Sequence, residues 1–439
     1  MVWNVNSTAV GGGVAEMLHP QLSYVLGQGI HTRWGVIQGP PEFFVVTKRL
    51  HNALHDAVGD GSPLGPAQAA LYERVLDENM RELRKFVRPG DVVICHDPQT
   101  AGLIPELLEL GTRVVWRCHI GHEGMGAQLE RGWAFLRKYI EHVHVAVFSR
   151  EAYAPSWLPR ARAITLPPNI DPFALKNRYF AEATVCAILC CADIVAVTPC
   201  EREAATFVRD DGTTAEVTHR ATVFRTGRAP GPNAPLVVQV SRWDRMKDHA
   251  GLLDAFARVV KAMPGTNAQL ALVGPVVGGV ADDPEAAEVL QEVERIWRAS
   301  PTEVRDRVHI VQLPMSDADE NVAMVNAIQR HAAVIAQKSL REGFGLTVTE
   351  AMWKARPVVA SAVGGIIDQI RDGVDGLLIR DPTNPDEGAA AIKRVLEDNE
   401  LARRLGSAAH KRVIDEYLMI CSLVRWADLV QSLLGGAPA

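Results

Sequence analysis

Short apolar runs alternate with longer stretches of helical periodicity along this chain, and the alternation restarts at residue 235. In the first half VWNVNS (2–7), TRWGVI (32–37), DVVICHD (91–97), TRVVWRCH (112–119) and VHVAVFS (143–149) are too short for helices and read as buried strands. Between them VAEMLHPQLSYVLGQG and AALYERVLDENMRELRKFV repeat apolar residues at helical spacing. Strands alternating with helices form βαβ units, and βαβ units form a parallel sheet. The second half repeats the pattern with PLVVQVSR (235–242), AQLALVG (268–274), RVHIVQL (307–313), AAVIAQ (332–337), PVVASAVGG (357–365) and DGLLI (375–379). Two α/β domains are therefore expected, over 1–175 and 235–419, and 439 residues suffice for two cores. Residues 176–234, a cysteine-bearing helical stretch followed by RTGRAPGPNAP, read as an insertion and a linker. The last helical stretch, AAHKRVIDEYLMICSLVRWADLVQSLL, is long enough for 420–439 to pack back on the first domain.

Charge and composition exclude whole classes. A net charge of −6 with no basic stripe argues against a nucleic-acid partner. No stretch approaches the 18 apolar residues of a membrane span. MVWNVNSTAVGGGVAEML lacks the basic start and apolar core of a signal peptide, although the chain begins almost inside its first strand, so a segment upstream of Met1 is allowed for. Seven cysteines, an odd number without a CxxC pair, suit reduced thiols in a cytoplasmic protein.

Open α/β sheets bind ligands beyond the carboxyl ends of their strands, so the loops after strands carry the chemistry. Gly11, Gly12 and Gly13 join the first strand to a helix, where free N–H groups attract phosphate; the alternative is a tight turn. Arg242 and Lys247 follow the strand that opens the second half and suit a diphosphate, Arg as a fork and Lys as a point charge; taken alone they are also ordinary surface charges. In SLREGFGLTVTEAMW, Gly343 and Gly345 permit a tight turn and the helix starts near Leu346 or Thr347. Glu342 precedes that helix and Glu350 lies in its first turns, flanking a dipole end that favours phosphate; the carboxylates suit vicinal sugar hydroxyls. His96 and His119 each end a first-domain strand, where a structural histidine is the competing explanation. Cys118, His119 and His122 lack the HExxH zinc spacing, and no metal is expected. Asp317 and Asp319 form a DxD that reads as a helix cap.

Glu342, Gly343, Phe344, Gly345 and Glu350 match the E-x7-E pattern of retaining glycosyltransferases with the GT-B fold, and Arg242 and Lys247 match that class's phosphate-gripping pair. VNSTAVGGGVAEML, GPPEFFVVTKRLHNALH, HDPQTAGLI, WRCHIGH, PPNIDP and REGFGLTVTEAMWKARPVVASAVGGI together resemble the trehalose-forming glycosyltransferring synthases and the related trehalose phosphorylases. The resemblance implies two Rossmann-like, doubly wound domains facing across a cleft. It implies transfer of glucose, with retention, from a nucleoside-diphosphate glucose to glucose, giving trehalose reversibly. A phosphorylase using phosphate and glucose 1-phosphate, another sugar acceptor, and a nucleotide-sugar sensor without turnover are the alternatives. In this resemblance Arg242, Lys247, Glu342 and His119 are catalytic. Gly12, Gly13, Gly343, Phe344, Gly345, Leu346, Thr347 and Glu350 hold the donor, Glu350 at the ribose. His96, Asp97 and Gln99 contact the acceptor. No cofactor is implied, and the expected partners are the two sugar substrates, with homodimerisation left open.

Overall fold

The computed structural model describes residues 1–9, 13–124, 126–196, 205–277 and 286–435. They form two compact units, Met1–Pro168 with Met419–Ala439, and Asn169–Leu418.

The first unit is built on six parallel strands in the order β2-β1-β3-β4-β5-β6, with β1 Val2–Asn6, β2 Thr32–Val36, β3 Val92–His96, β4 Arg113–Cys118, β5 Val145–Phe148 and β6 Ala163–Thr165. Successive side chains of a strand point to opposite faces, and here both faces are covered. Val93, Cys95, Val114 and Trp116 enter one apolar core. Val92, Ile94, Val115 and Val147 enter the other, which is closed by Leu429 of the C-terminal helix Met419–Leu433.

In the second unit β10 (Leu236–Val240) lies at the centre of a seven-stranded sheet. Its order is β15-β14-β13-β10-β11-β12-β9, with β9 Thr222–Phe224, β11 Gln269–Pro275, β12 Val308–Leu313, β13 Val334–Gln337, β14 Val358–Ser361 and β15 Leu377–Ile379. All pairings are parallel except β9 with β12. Alternation again splits the strands: Leu236 and Val238 face one core, Val237 the other.

Two expectations are corrected. The described elements of 176–234, expected as insertion and linker, belong to the second unit: the helix Glu182–Cys191 buries Val185, Ile188 and Leu189 in its core, and β9 extends its sheet. The remaining short strands, β7 (Thr206–Val208) and β8 (Thr214–Glu216), form an antiparallel hairpin. The last helical stretch is two helices, Asn399–Glu416 and Met419–Leu433, parted at Tyr417. Tyr417 is buried, its hydroxyl donates to the Asp368 carbonyl at 2.9 Å, and its own carbonyl accepts from the Ile170 N–H at 2.9 Å, which diverts the chain from helical bonding. Among the described residues no helix is long and apolar enough to cross a membrane.

Candidate active site

In the second unit β10 and β13 are parallel neighbours, so the loops leaving their carboxyl ends start side by side. Backbone and side chains then tie them together. The Leu340 N–H donates to the Met246 carbonyl at 2.7 Å. Gln239 accepts from the Lys338 N–H at 3.2 Å and donates to the Lys247 carbonyl at 2.8 Å. Buried Lys338 pairs with Asp248, which caps the helix His249–Ala262 by accepting from the Gly251 N–H at 3.0 Å. These constraints place Lys247 Nζ 2.7 Å from Glu342 Oε2, which also accepts from Ser339 Oγ at 3.2 Å. Two of the expected catalytic residues therefore meet.

Arg242 is mostly exposed and lies 3.8 Å from Asp244. Its neighbour Trp243 is fully buried, lies against His249 with ring centroids 4.8 Å apart, and donates its indole N–H to the Pro275 carbonyl at 2.8 Å. A Cβ at Gly274 would stand 2.6 Å from that indole, so the glycine makes room for this wedge beneath the loop.

Gly345, at φ +84°, is the N-cap of the helix Leu346–Trp353 and brings no capping side chain, leaving the dipole end open to an anion. Leu346 is exposed there, and Thr347 Oγ1 donates to Gln337 Oε1 at 3.3 Å. The ring of Phe344, a residue expected at the donor, is buried against Tyr417, with ring centroids 6.0 Å apart, and its carbonyl accepts from Gln369. Glu350 does not face Glu342 within hydrogen-bonding reach. It is buried, 2.8 Å from Lys176 Nζ and 3.5 Å from Gln329 Nε2, and Lys354, one turn on, is pushed down to about 7 by its own burial, against the pull of Glu350.

In the first unit His96 and His119 stack nearly parallel, at 9°, and their Nδ1 and Nε2 approach to 3.1 Å. His96 Nε2 lies 3.0 Å from Asn4 Oδ1, which can only accept, so Nε2 carries the proton and Nδ1 accepts from His119 Nε2–H. The His119 ring thereby keeps Nδ1 as an acceptor for a hydroxyl. Asp97, at φ +61°, accepts from the His119 N–H at 2.7 Å; burial raises its carboxyl to about 7, opposed by that bond and by buried Arg117. Gln99 Oε1 is buried without a hydrogen-bond partner, an acceptor suited to a sugar hydroxyl. Gly13 begins the helix Gly13–Gly27, while Gly12 lies outside the described residues.

Burial, then Arg117, lowers His96 to about 3 from 6.5. A base whose folded pKa is depressed contributes stability that is complete above its unfolded pKa and is lost as pH falls toward the folded one. Between pH 6.5 and 5 the wild type should therefore lose about 2 kcal/mol that His96→Gln does not lose, read from urea midpoints against pH.

Residues 4–155 match the family model described as trehalose synthase, N-terminal domain, and residues 224–412 match glycosyl transferases group 1. The trehalose synthase of Pyrococcus horikoshii is 35% identical over 98% of this chain and 90% of its own. The chain belongs to the trehalose synthase family. The trehalose phosphorylase of Grifola frondosa is 24% identical over 97% of this chain and 56% of its own length. A solved E. coli trehalose-6-phosphate structure bound with UDP-2-fluoro glucose superposes at a TM-score of 0.69, with 15% identity and coverage of 98% of this chain and 99% of that one. The fold of this trehalose synthase relative is GT-B.

Several participants carried no readable signal. Trp243, Lys338 and Gln369 act through contacts remote in sequence, and Lys176 lies in the segment expected as insertion and linker. Asn4 had a faint one, as a buried amide among the apolar residues of a strand.

Proposed function

We propose that the protein transfers glucose from a nucleoside-diphosphate glucose to glucose, with retention, and so forms trehalose. The observation that carries this reading is the Lys247–Glu342 pair at 2.7 Å, set beside the uncapped start of the helix at Leu346. A cation and open N–H groups suit a departing diphosphate, and Glu342 holds Lys247 in place until the anion arrives. Arg242, exposed on the loop of Lys247, would close on the same phosphates. As the bond from glucose C1 to the leaving phosphate oxygen breaks, the acceptor oxygen bonds C1 on the same face, and its proton passes to that phosphate. His119 Nδ1 would accept from a hexose hydroxyl, and Glu350, exchanging Lys176, would accept from the ribose. UDP-2-fluoro glucose bound to a protein of this fold supports the donor class.

Calorimetric titration with UDP, ADP and GDP tests the donor. Binding of one of them, weakened about tenfold by Glu350→Gln, supports the reading. Binding of phosphate and glucose 1-phosphate with no nucleotide would make the protein a phosphorylase instead.

Gly364 offers a second check. At φ +52°, its added Cβ would lie 1.7 Å from the Glu342 carbonyl oxygen, so the loop bearing Glu342 must move to admit it. Gly364→Ala should lower turnover about a hundredfold while the chain still folds. Normal turnover would show that the Glu342 loop tolerates displacement.

A further inference from the structure

The second unit has a cavity of about 540 Å³ at the other end of its sheet. Pro235, Ala333 and Arg356, which line it, precede β10, β13 and β14, whereas Lys247 and Glu342 follow the carboxyl ends of β10 and β13. A five-residue strand separates the two ends by roughly 15 Å. The cavity is therefore distinct from the donor loops.

Its charge is unbalanced. Arg330, His331 and Arg356 line it with a single acid, Glu182. Arg356 gives Nη1 to the Ala332 carbonyl at 3.3 Å, but its Nε is buried with no partner, and so is His331 Nε2. A buried N–H without an acceptor costs about 1–3 kcal/mol, so Arg356 Nε calls for a group that accepts, and His331 offers Nε2–H to the same group in one of its two tautomers. Burial lowers the pKa of Arg330, His331 and Arg356 alike, and Glu182 opposes it only at His331 and Arg356. Phe180, Val395 and Leu396 give it an apolar wall, with Asn399 at the exposed side.

We propose that this cavity is a second ligand site, taking a phosphate monoester of hexose size whose phosphate is held by Arg356 Nε, His331 Nε2 and Arg330, and whose body rests on the apolar wall. Three side-chain donors suit a tetrahedral oxyanion better than a planar carboxylate, and the volume exceeds what free phosphate needs. The site also reaches the helix of Glu350. Arg330 donates to the Asn177 carbonyl at 2.9 Å, the same oxygen that accepts from Trp353 Nε1 at 2.9 Å, and Asn177 Oδ1 lies 3.4 Å from Lys354 Nζ. Occupancy therefore alters donor affinity; this coupling rests on the role given to Glu350 above, whereas the binding does not.

The test is calorimetry with glucose 6-phosphate and with inorganic phosphate, using glucose as control. Glucose 6-phosphate should bind the wild type and Lys247→Ala equally and bind Arg356→Gln about tenfold more weakly or worse. Asn399→Asp guards against misfolding, since an acid at the first residue of the helix Asn399–Glu416 suits the helix dipole while repelling a phosphate. It should weaken binding as Arg356→Gln does. Binding of inorganic phosphate alone, with the same two losses, would keep the site and name the free anion as its ligand. Absence of binding by either phosphate to the wild type would overturn the proposal. So would binding that Lys247→Ala abolishes and the cavity variants retain, which would place the phosphate at the donor loops and leave the donor reading standing.

Discussion

Lys247→Ala should lower kcat by about 10²–10³ while leaving the denaturation midpoint nearly unchanged. The side chain is one of the two ends of a 2.7 Å ion pair and remains 17% exposed, so its loss leaves Glu342 within reach of water and the core untouched. In the mechanism proposed above, what disappears is the fixed positive charge where the leaving group's charge would develop. Such a charge acts mainly in the transition state, so the loss falls on kcat and less on KM. Lys247→Arg restores the charge without the geometry and should recover part of the rate. Near-normal turnover in folded Lys247→Ala would remove the residue from the reaction.

Trp243→Ala should destabilise the second unit by about 3–5 kcal/mol, the range for emptying a large aromatic site. Trp243 is fully buried, and its removal also leaves the Pro275 carbonyl without its 2.8 Å donor. Because Arg242 and Asp244 flank it, the variant should lose activity even at temperatures where it stays folded. Trp243→Phe keeps most of the volume and loses the hydrogen bond, so about 1–2 kcal/mol is expected. Urea denaturation followed by intrinsic fluorescence and circular dichroism reads both. A loss below about 1 kcal/mol for the alanine variant would mean that the loop repacks and that the indole is not its wedge.

The turns and caps of the loops were legible because they depend on local geometry. Gly345 had to take a left-handed conformation to start a helix at Leu346, and the residues GFGL say as much. Asp317 was readable as a cap, accepting from the Asp319 and Glu320 N–H groups, although its second tie to Arg209 at 2.5 Å was not. The strands were legible from uninterrupted apolar runs. β9 was not, because three residues on a sheet edge carry too little apolar pattern, and it follows a stretch rich in turn-forming and polar residues. The packing of Phe344 was illegible for a related reason: its motif places it beside the loop glycines, but only tertiary packing decides that its ring turns to Tyr417. Glu350 shows the same limit, since its counter-ion Lys176 stands far away in sequence. The histidine pair was visible as two strand ends, whereas the tautomer that gives His119 its acceptor nitrogen depends on Asn4, across the sheet.

The most direct test of the central claim is a product assay with ADP-, UDP- and GDP-glucose, each with glucose, beside a reaction of glucose 1-phosphate with glucose. Formation of a non-reducing α,α-linked disaccharide from at least one nucleotide donor, with release of the matching nucleoside diphosphate, is the predicted result. Disaccharide formed only from glucose 1-phosphate would contradict it.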